Sequence, residues 1–145
     1  MLANRGRVNR GDLVNGKARA SYLSPPDFHR LDWACRPIAE AFGEPPYLVG
    51  SVLTRPDFRD IDIRLILDDA AAERVLTGES FEVHCDGNPN ACRLLLNIAF
   101  SDLIASIAHA PAPIDFQIQS MTEANAPEYA HGMRNPLGIR HASAQ

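Results

Sequence analysis

The chain lacks the features that mark several large protein classes. Its three cysteines, Cys35, Cys85 and Cys92, include no CxxC pair, which fits reduced thiols of a cytosolic protein. His84, Cys85 and Cys92 lie near one another in sequence, but no second ligand pair has the spacing of a zinc site. The longest apolar stretch, Leu94 to Ala110, is broken by Asn97, Ser101, Asp102 and Ser106. That argues against a membrane span and for a buried amphipathic helix. The opening residues, MLANRGRVNRG, hold no apolar h-region, so no secretory signal is expected and a cytoplasmic location is the default. There is no internal repeat and no glycine fingerprint of a dinucleotide fold. No serine stands in a nucleophile-elbow context, which disfavours a Ser/His/Asp hydrolase, and nothing marks His131 or His141 as a base.

Lysine is nearly missing as well: of 14 basic residues only Lys17 is not arginine. The planar guanidinium suits phosphate recognition, although a genomic codon bias produces the same pattern. What is present is ordinary for a globular chain, with 46% hydrophobic and 22% charged residues over 145 positions, enough for one domain. The net charge of −4 is unevenly spread, because Arg5, Arg7, Arg10, Lys17 and Arg19 face Asp12 alone in residues 1–24. This segment reads as a flexible basic arm, with contact to an anionic partner as the alternative. Residues 25–121 read as the folded domain, and 122–145 as an extended or disordered tail carrying Pro127, Gly132, Pro136 and Gly138.

Within the domain, Ser24-Pro25-Pro26-Asp27 predicts a helix start, capped by Ser24 or Asp27. Phe28, Leu31, Ala34, Cys35, Ile38, Ala39 and Phe42 then recur at helical spacing up to Gly43. Tyr47-Leu48-Val49 reads as a short buried strand that turns at Gly50-Ser51. A second strand is expected over about 60–67, then a short helix capped by Asp68 or Asp69 and stopped at Gly78. Phe81 to Cys85 alternates weakly as an edge-like strand, and Asp86 to Pro89 reads as a turn. A helix over about 91–108 follows, with Leu94, Leu95, Ile98, Leu103, Ile104 and Ile107 expected as its buried stripe. Ile114 to Gln119 alternates strictly and reads as a further strand. The order implies an α/β fold, a small mixed sheet with helices packed on it.

The run RDIDIRLIL concentrates the chemistry. On a strand, Asp60, Asp62 and Arg64 share one face while Ile61, Ile63 and Leu65 enter the core. The two carboxylates then stand about 6.5 Å apart along the backbone and can converge on hard cations such as Mg²⁺. Asp115, flanked by Ile114 and Phe116, points away from the core in the same manner, so adjacent strands in register would gather three carboxylates. Alone, an Asp-Ile-Asp strand is more often a solvated face, Gly50-Ser51 a plain turn, and Arg64 a salt-bridge partner of the aspartates.

Taken together, Val49-Gly50-Ser51, Asp60-Ile61-Asp62-Ile63 and Ile114-Asp115-Phe116 resemble the three-part pattern of the DNA polymerase β-like nucleotidyltransferase superfamily. The resemblance covers about residues 28–119. It implies in-line attack of an acceptor hydroxyl on the α-phosphorus of a nucleoside triphosphate. By this likeness Asp60 and Asp62 would hold two Mg²⁺ ions, and Asp115 would ligate the one that activates the acceptor. Gly50 and Ser51 would bind the β- and γ-phosphates, with Arg64, Arg55 and Arg59 as further nucleotide-binding candidates. The eight residues between Ser51 and Asp60 are short for the family, so the helix after Gly-Ser is expected to shrink to about one turn. Only 30 residues follow Asp115, which leaves acceptor binding to the tail, the basic arm, a partner chain or a second copy. The acceptor itself, whether small molecule, protein or nucleic acid end, is open. A non-catalytic member that binds nucleotide or protein as a regulatory module is the alternative.

Overall fold

A computed structural model describes residues 20–77, 91–128 and 132–140, with the backbone of 13–14 and 17–18. The expected strand over 81–85 and the turn over 86–89 lie outside the described residues, as do His131 and His141. β1 (Leu13–Val14) and β2 (Lys17–Ala18) form a short antiparallel ladder. The remainder is a mixed α/β fold, a four-stranded sheet with helices against it.

Helix α1 (Pro25–Phe42) starts where Ser24 accepts a hydrogen bond from Asp27 N, with prolines in the first turn where no N–H is missed. It ends at Gly43, whose N–H reaches Ala39 O. β3 (Tyr47–Val49) leads into a single 3₁₀ turn (Gly50–Leu53), the one-turn element that the short spacer predicts. β4 (Ile61–Leu67) runs antiparallel to β3, and α2 (Asp69–Leu76) is capped by Asp68. After α3 (Ala91–Ala108), β5 (Ile114–Ser120) lies parallel to β4, followed by α4 (Met121–Ala124) and β6 (Asn135–Pro136). The sheet order is β5-β4-β3-β6.

One face of the sheet is the core. Ile61, Ile63, Leu65, Phe116, Ile118 and Leu48 are fully buried there with Leu31 and Cys35 of α1 and Ile104 of α3. The rings of Phe42, Phe100 and Phe116 meet edge to face, stitching α1 to α3 and α3 to β5. The opposite face carries Asp62, Arg64, Asp115 and Gln117.

The buried stripe expected on α3 is wrong in all but Ile104. Leu94, Leu95, Ile98, Leu103 and Ile107 are exposed, and the helix instead buries Cys92, Ile104 and Ala108. Its inward side is partly polar for a definite reason. β5 is a sheet edge, and its free N–H groups at Phe116 and Ile118 donate to Ser101 Oγ at 3.0 Å and Asn97 Oδ1 at 3.0 Å. Covering an edge in this way satisfies backbone donors that would otherwise template pairing. By length and composition α3 is apolar enough to cross a membrane, yet Asn97 and Ser101, two of the four polar residues that interrupt it, are engaged on the sheet. Reduced thiols hold only in part: Cys35 is free and buried, and Cys92 is disulfide-bonded.

Beyond residue 122 the chain returns to the sheet. β6 pairs with β3, Leu137 is fully buried, and Leu137 N donates to Pro46 O. Buried Asp32 accepts from Gly138 N and from Arg140 Nη1, each at 2.9 Å. Gly138 approaches Cys35 O so closely that a Cβ would lie 2.9 Å from it.

Candidate functional site

The parallel register of β4 and β5 pairs Asp62 with Asp115 directly, then Arg64 with Gln117 and Ile66 with Gln119. Neighbouring strands lie about 4.8 Å apart, so the first two carboxylates stand side by side on the open face. Asp60 precedes the first residue of β4 and is exposed. Asp62 feels both of the others: burial raises its carboxyl above the usual range, Arg64 pulls it down, and Asp115 and Asp60 push it up.

Arg64 is the centre of the charge balance. Its Nη2 lies 3.3 Å from Asp115 Oδ2 and 3.6 Å from Asp62 Oδ1, and its side chain is only 17% exposed. Nη1 donates to the carbonyl oxygens of Ile63 at 3.0 Å and Asp115 at 2.9 Å. Gln117 Nε2 reaches both Asp115 oxygens at 3.3 Å. The guanidinium therefore stands where a cation between the two carboxylates would stand.

Gly50 closes the back of this group. It has φ +79°, which favours glycine, and a Cβ there would overlap the Asp62 carboxylate. Ser51 follows it in the 3₁₀ turn, and its carbonyl accepts from Thr54 N and Arg55 N. A depression of about 350 Å³ is lined by Ser51, Arg55, Arg59, Asp60 and Asp62, with Asp57 and Phe58. Five of the residues singled out in the sequence thus share one cavity. Arg55 is held by Asp57 at 2.8 Å, which lowers the Asp57 carboxyl below its usual range.

On donor chemistry the group suits a hard cation: desolvated Asp62, register-matched Asp115 and exposed Asp60 offer only oxygen, and a guanidinium already fills the gap. Among the described residues no three His, Cys, Asp or Glu side chains are gathered as a ready metal cage. Asp62 and Asp115 could hold one ion if Arg64 withdrew, with Asp60 at the open end.

Asp62 also lines a second cavity, with Arg64, Ile66, Gln117, Gln119, Met133 and Arg134 among its walls. The Gln117–Gln119 alternation was a readable signal on β5, since both share the face of Asp115. Arg134 carried none, because its segment reaches the site only through β6. No protein-family profile, curated protein or solved structure matches this chain. The α/β fold and the acidic open face stand on their own geometry.

Proposed function

We propose that this chain is a Mg²⁺-dependent nucleotidyltransferase that moves a nucleoside monophosphate from an NTP to an acceptor hydroxyl. The observation that carries the reading is the alignment of Asp62 with Asp115 on adjacent parallel strands, beside a cavity lined by Ser51, Arg55, Arg59 and Asp60. Two bound Mg²⁺ ions would supply charge stabilisation to the entering and leaving oxygens. Asp60, Asp62 and Asp115 would hold them. Ser51 and the neighbouring backbone N–H groups would bind the β- and γ-phosphates, which Gly50 leaves room to approach. Arg55 and Arg59 would offset phosphate charge at the rim. Arg64, freed from Asp115, would turn to a phosphate oxygen, and Asp115 would take the proton of the acceptor hydroxyl. A cytoplasmic setting is the default for this reading, and the Cys92 disulfide pulls the other way.

The test is thermal unfolding with each NTP, with and without Mg²⁺, on wild type and an Asp60→Ala/Asp62→Ala variant. Mg²⁺-dependent stabilisation by an NTP that vanishes in the variant is expected. No response in wild type would sink the proposal. Release of pyrophosphate on adding acceptors would establish turnover.

A second reading is favoured by Arg64. Its pairing with both Asp62 and Asp115 offsets part of the negative charge of the face without metal, which suits a non-catalytic regulatory module that binds nucleotide or protein. That reading expects nucleotide binding indifferent to Mg²⁺, with no pyrophosphate released.

A further inference from the structure

The open face does not end at Asp62. Asp60, just before β4, and then Asp62, Arg64 and Ile66 within it follow one another along this face in steps of about 6.6 Å. The cavity of Ser51, Arg55 and Arg59 lies at the Asp60 end. The second cavity, about 360 Å³, lies toward the Ile66 end, and Asp62 is common to both.

We propose that this second cavity is the acceptor site, and that it takes a small molecule carrying a hydroxyl and an anionic group such as a phosphate or carboxylate. The assignment rests on the nucleotidyltransferase reading. In-line displacement puts the leaving and entering oxygens on opposite sides of the phosphorus. With the leaving phosphates at the Asp60 end, the hydroxyl arrives from the Ile66 end.

The lining has the matching chemistry. Gln117 spends its amide N–H on Asp115, which leaves its carbonyl oxygen to accept from a ligand hydroxyl. Among the described residues the Gln119 side chain makes no hydrogen bond. Arg134 is steadied by donating to Ala124 O at 2.7 Å and, among the described residues, pairs with no carboxylate, so its charge is available to an anion. Ile66 and Met133 supply apolar wall. The volume is at the small end of ligand sites. Glu128 on the same wall opposes a polyanionic strand.

The experiment titrates the full chain, saturated with Mg²⁺ and a non-hydrolysable ATP analogue, with ribose 5-phosphate and glycerol 3-phosphate, using ribose as the neutral control. At least one phosphorylated probe is expected to bind about tenfold more tightly than ribose, and Arg134→Ala and Gln119→Ala each to weaken it about tenfold while the analogue's affinity stays unchanged. Gln119→Ala guards against loss of folding in the Arg134 variant. Equal binding of charged and neutral probes, or probe binding indifferent to both variants, overturns the acceptor assignment alone. Failure of wild type to bind such an analogue of any of the four NTPs overturns the nucleotidyltransferase reading, and this assignment falls with it.

Discussion

Gly50 backs directly onto Asp62. Its φ of +79° lies in the left-handed region, and a Cβ added there would overlap the Asp62 carboxylate, with Asp62 Cγ 3.1 Å away. Gly43 has a similar φ of +71° but nothing within 4 Å of an added Cβ. The two positions separate backbone strain from crowding. Gly43→Ala is expected to cost about 1 kcal/mol, the strain alone. Gly50→Ala adds displacement of Asp62 and should cost about 2–3 kcal/mol and remove any Mg²⁺ response. Urea unfolding of the two variants checks this, and equal losses would refute the special closeness of Gly50 to Asp62.

Arg64 holds together two groups that repel one another. Removing it leaves Asp62, already raised by burial, beside Asp115 and Asp60 with no cation. Arg64→Ala is expected to lose about 2 kcal/mol at neutral pH. Millimolar Mg²⁺ should then raise its Tm by more than it raises that of wild type, because the ion takes the vacated place. An identical Mg²⁺ response in the two proteins would count against cation binding by these carboxylates.

The turn into α4 makes a pH prediction with a definite sign. Glu123 accepts from Arg93 Nη2 at 2.8 Å and from Ser120 N at 3.0 Å, and these bonds hold its carboxyl below the usual range, the Arg93 bond most strongly. The folded state therefore binds this proton less readily than the unfolded chain does. Its contribution is complete above the ordinary glutamate value of about 4.3 and fades as pH falls through the lowered folded value. Glu123→Gln keeps a side chain that can complete the cap and loses the partly exposed Arg93 ion pair, so it should be less stable than wild type at pH 7 by about 0.5 kcal/mol, and the two should converge in acid. Urea midpoints from pH 7 down to pH 3 measure the gap, and a constant difference would contradict the linkage.

The acidic face was legible because β5 alternates strictly and β4 alternates up to Leu65. Ile61 and Ile63 bracket Asp62 as Ile114 and Phe116 bracket Asp115, and a period of two leaves each aspartate one direction to point. Their adjacency was only a condition in the sequence, since alternation fixes the face of each aspartate and not which strands are neighbours, and the parallel register of β4 and β5 supplies it. Helix α3 misled because apolar residues surround most of its circumference, so no stripe stands out. The residues that in fact face the sheet include the polar Asn97 and Ser101, recruited by the unpaired edge of β5, beside Phe100 and Ile104. The return of residues 135–140 was invisible for another reason. A two-residue strand containing Pro136 has no period to read, and its anchor is Asp32, more than a hundred residues earlier on a helix. The walls of the second cavity depend on that return.

Leu137 and Leu95 test the contrast between pattern and burial in one experiment. Helical spacing and a strongly apolar neighbourhood mark Leu95 as core, yet it is 66% exposed. Leu137 stands among Asn, Pro and Gly in a segment without periodicity, yet it is fully buried in the cluster with α1 and β3. Truncation of a buried leucine costs its transfer free energy and leaves a cavity, about 2–5 kcal/mol. An exposed position loses neither, and its change stays within about 0.5 kcal/mol. Leu137→Ala is therefore expected to lower the urea midpoint strongly, and Leu95→Ala hardly at all. Because Leu137 also holds the chain that presents Met133 and Arg134, its truncation should weaken any ligand of the second cavity before it affects nucleotide binding. The reverse ranking of the two leucines would mean that α3, and not the returning segment, completes the core.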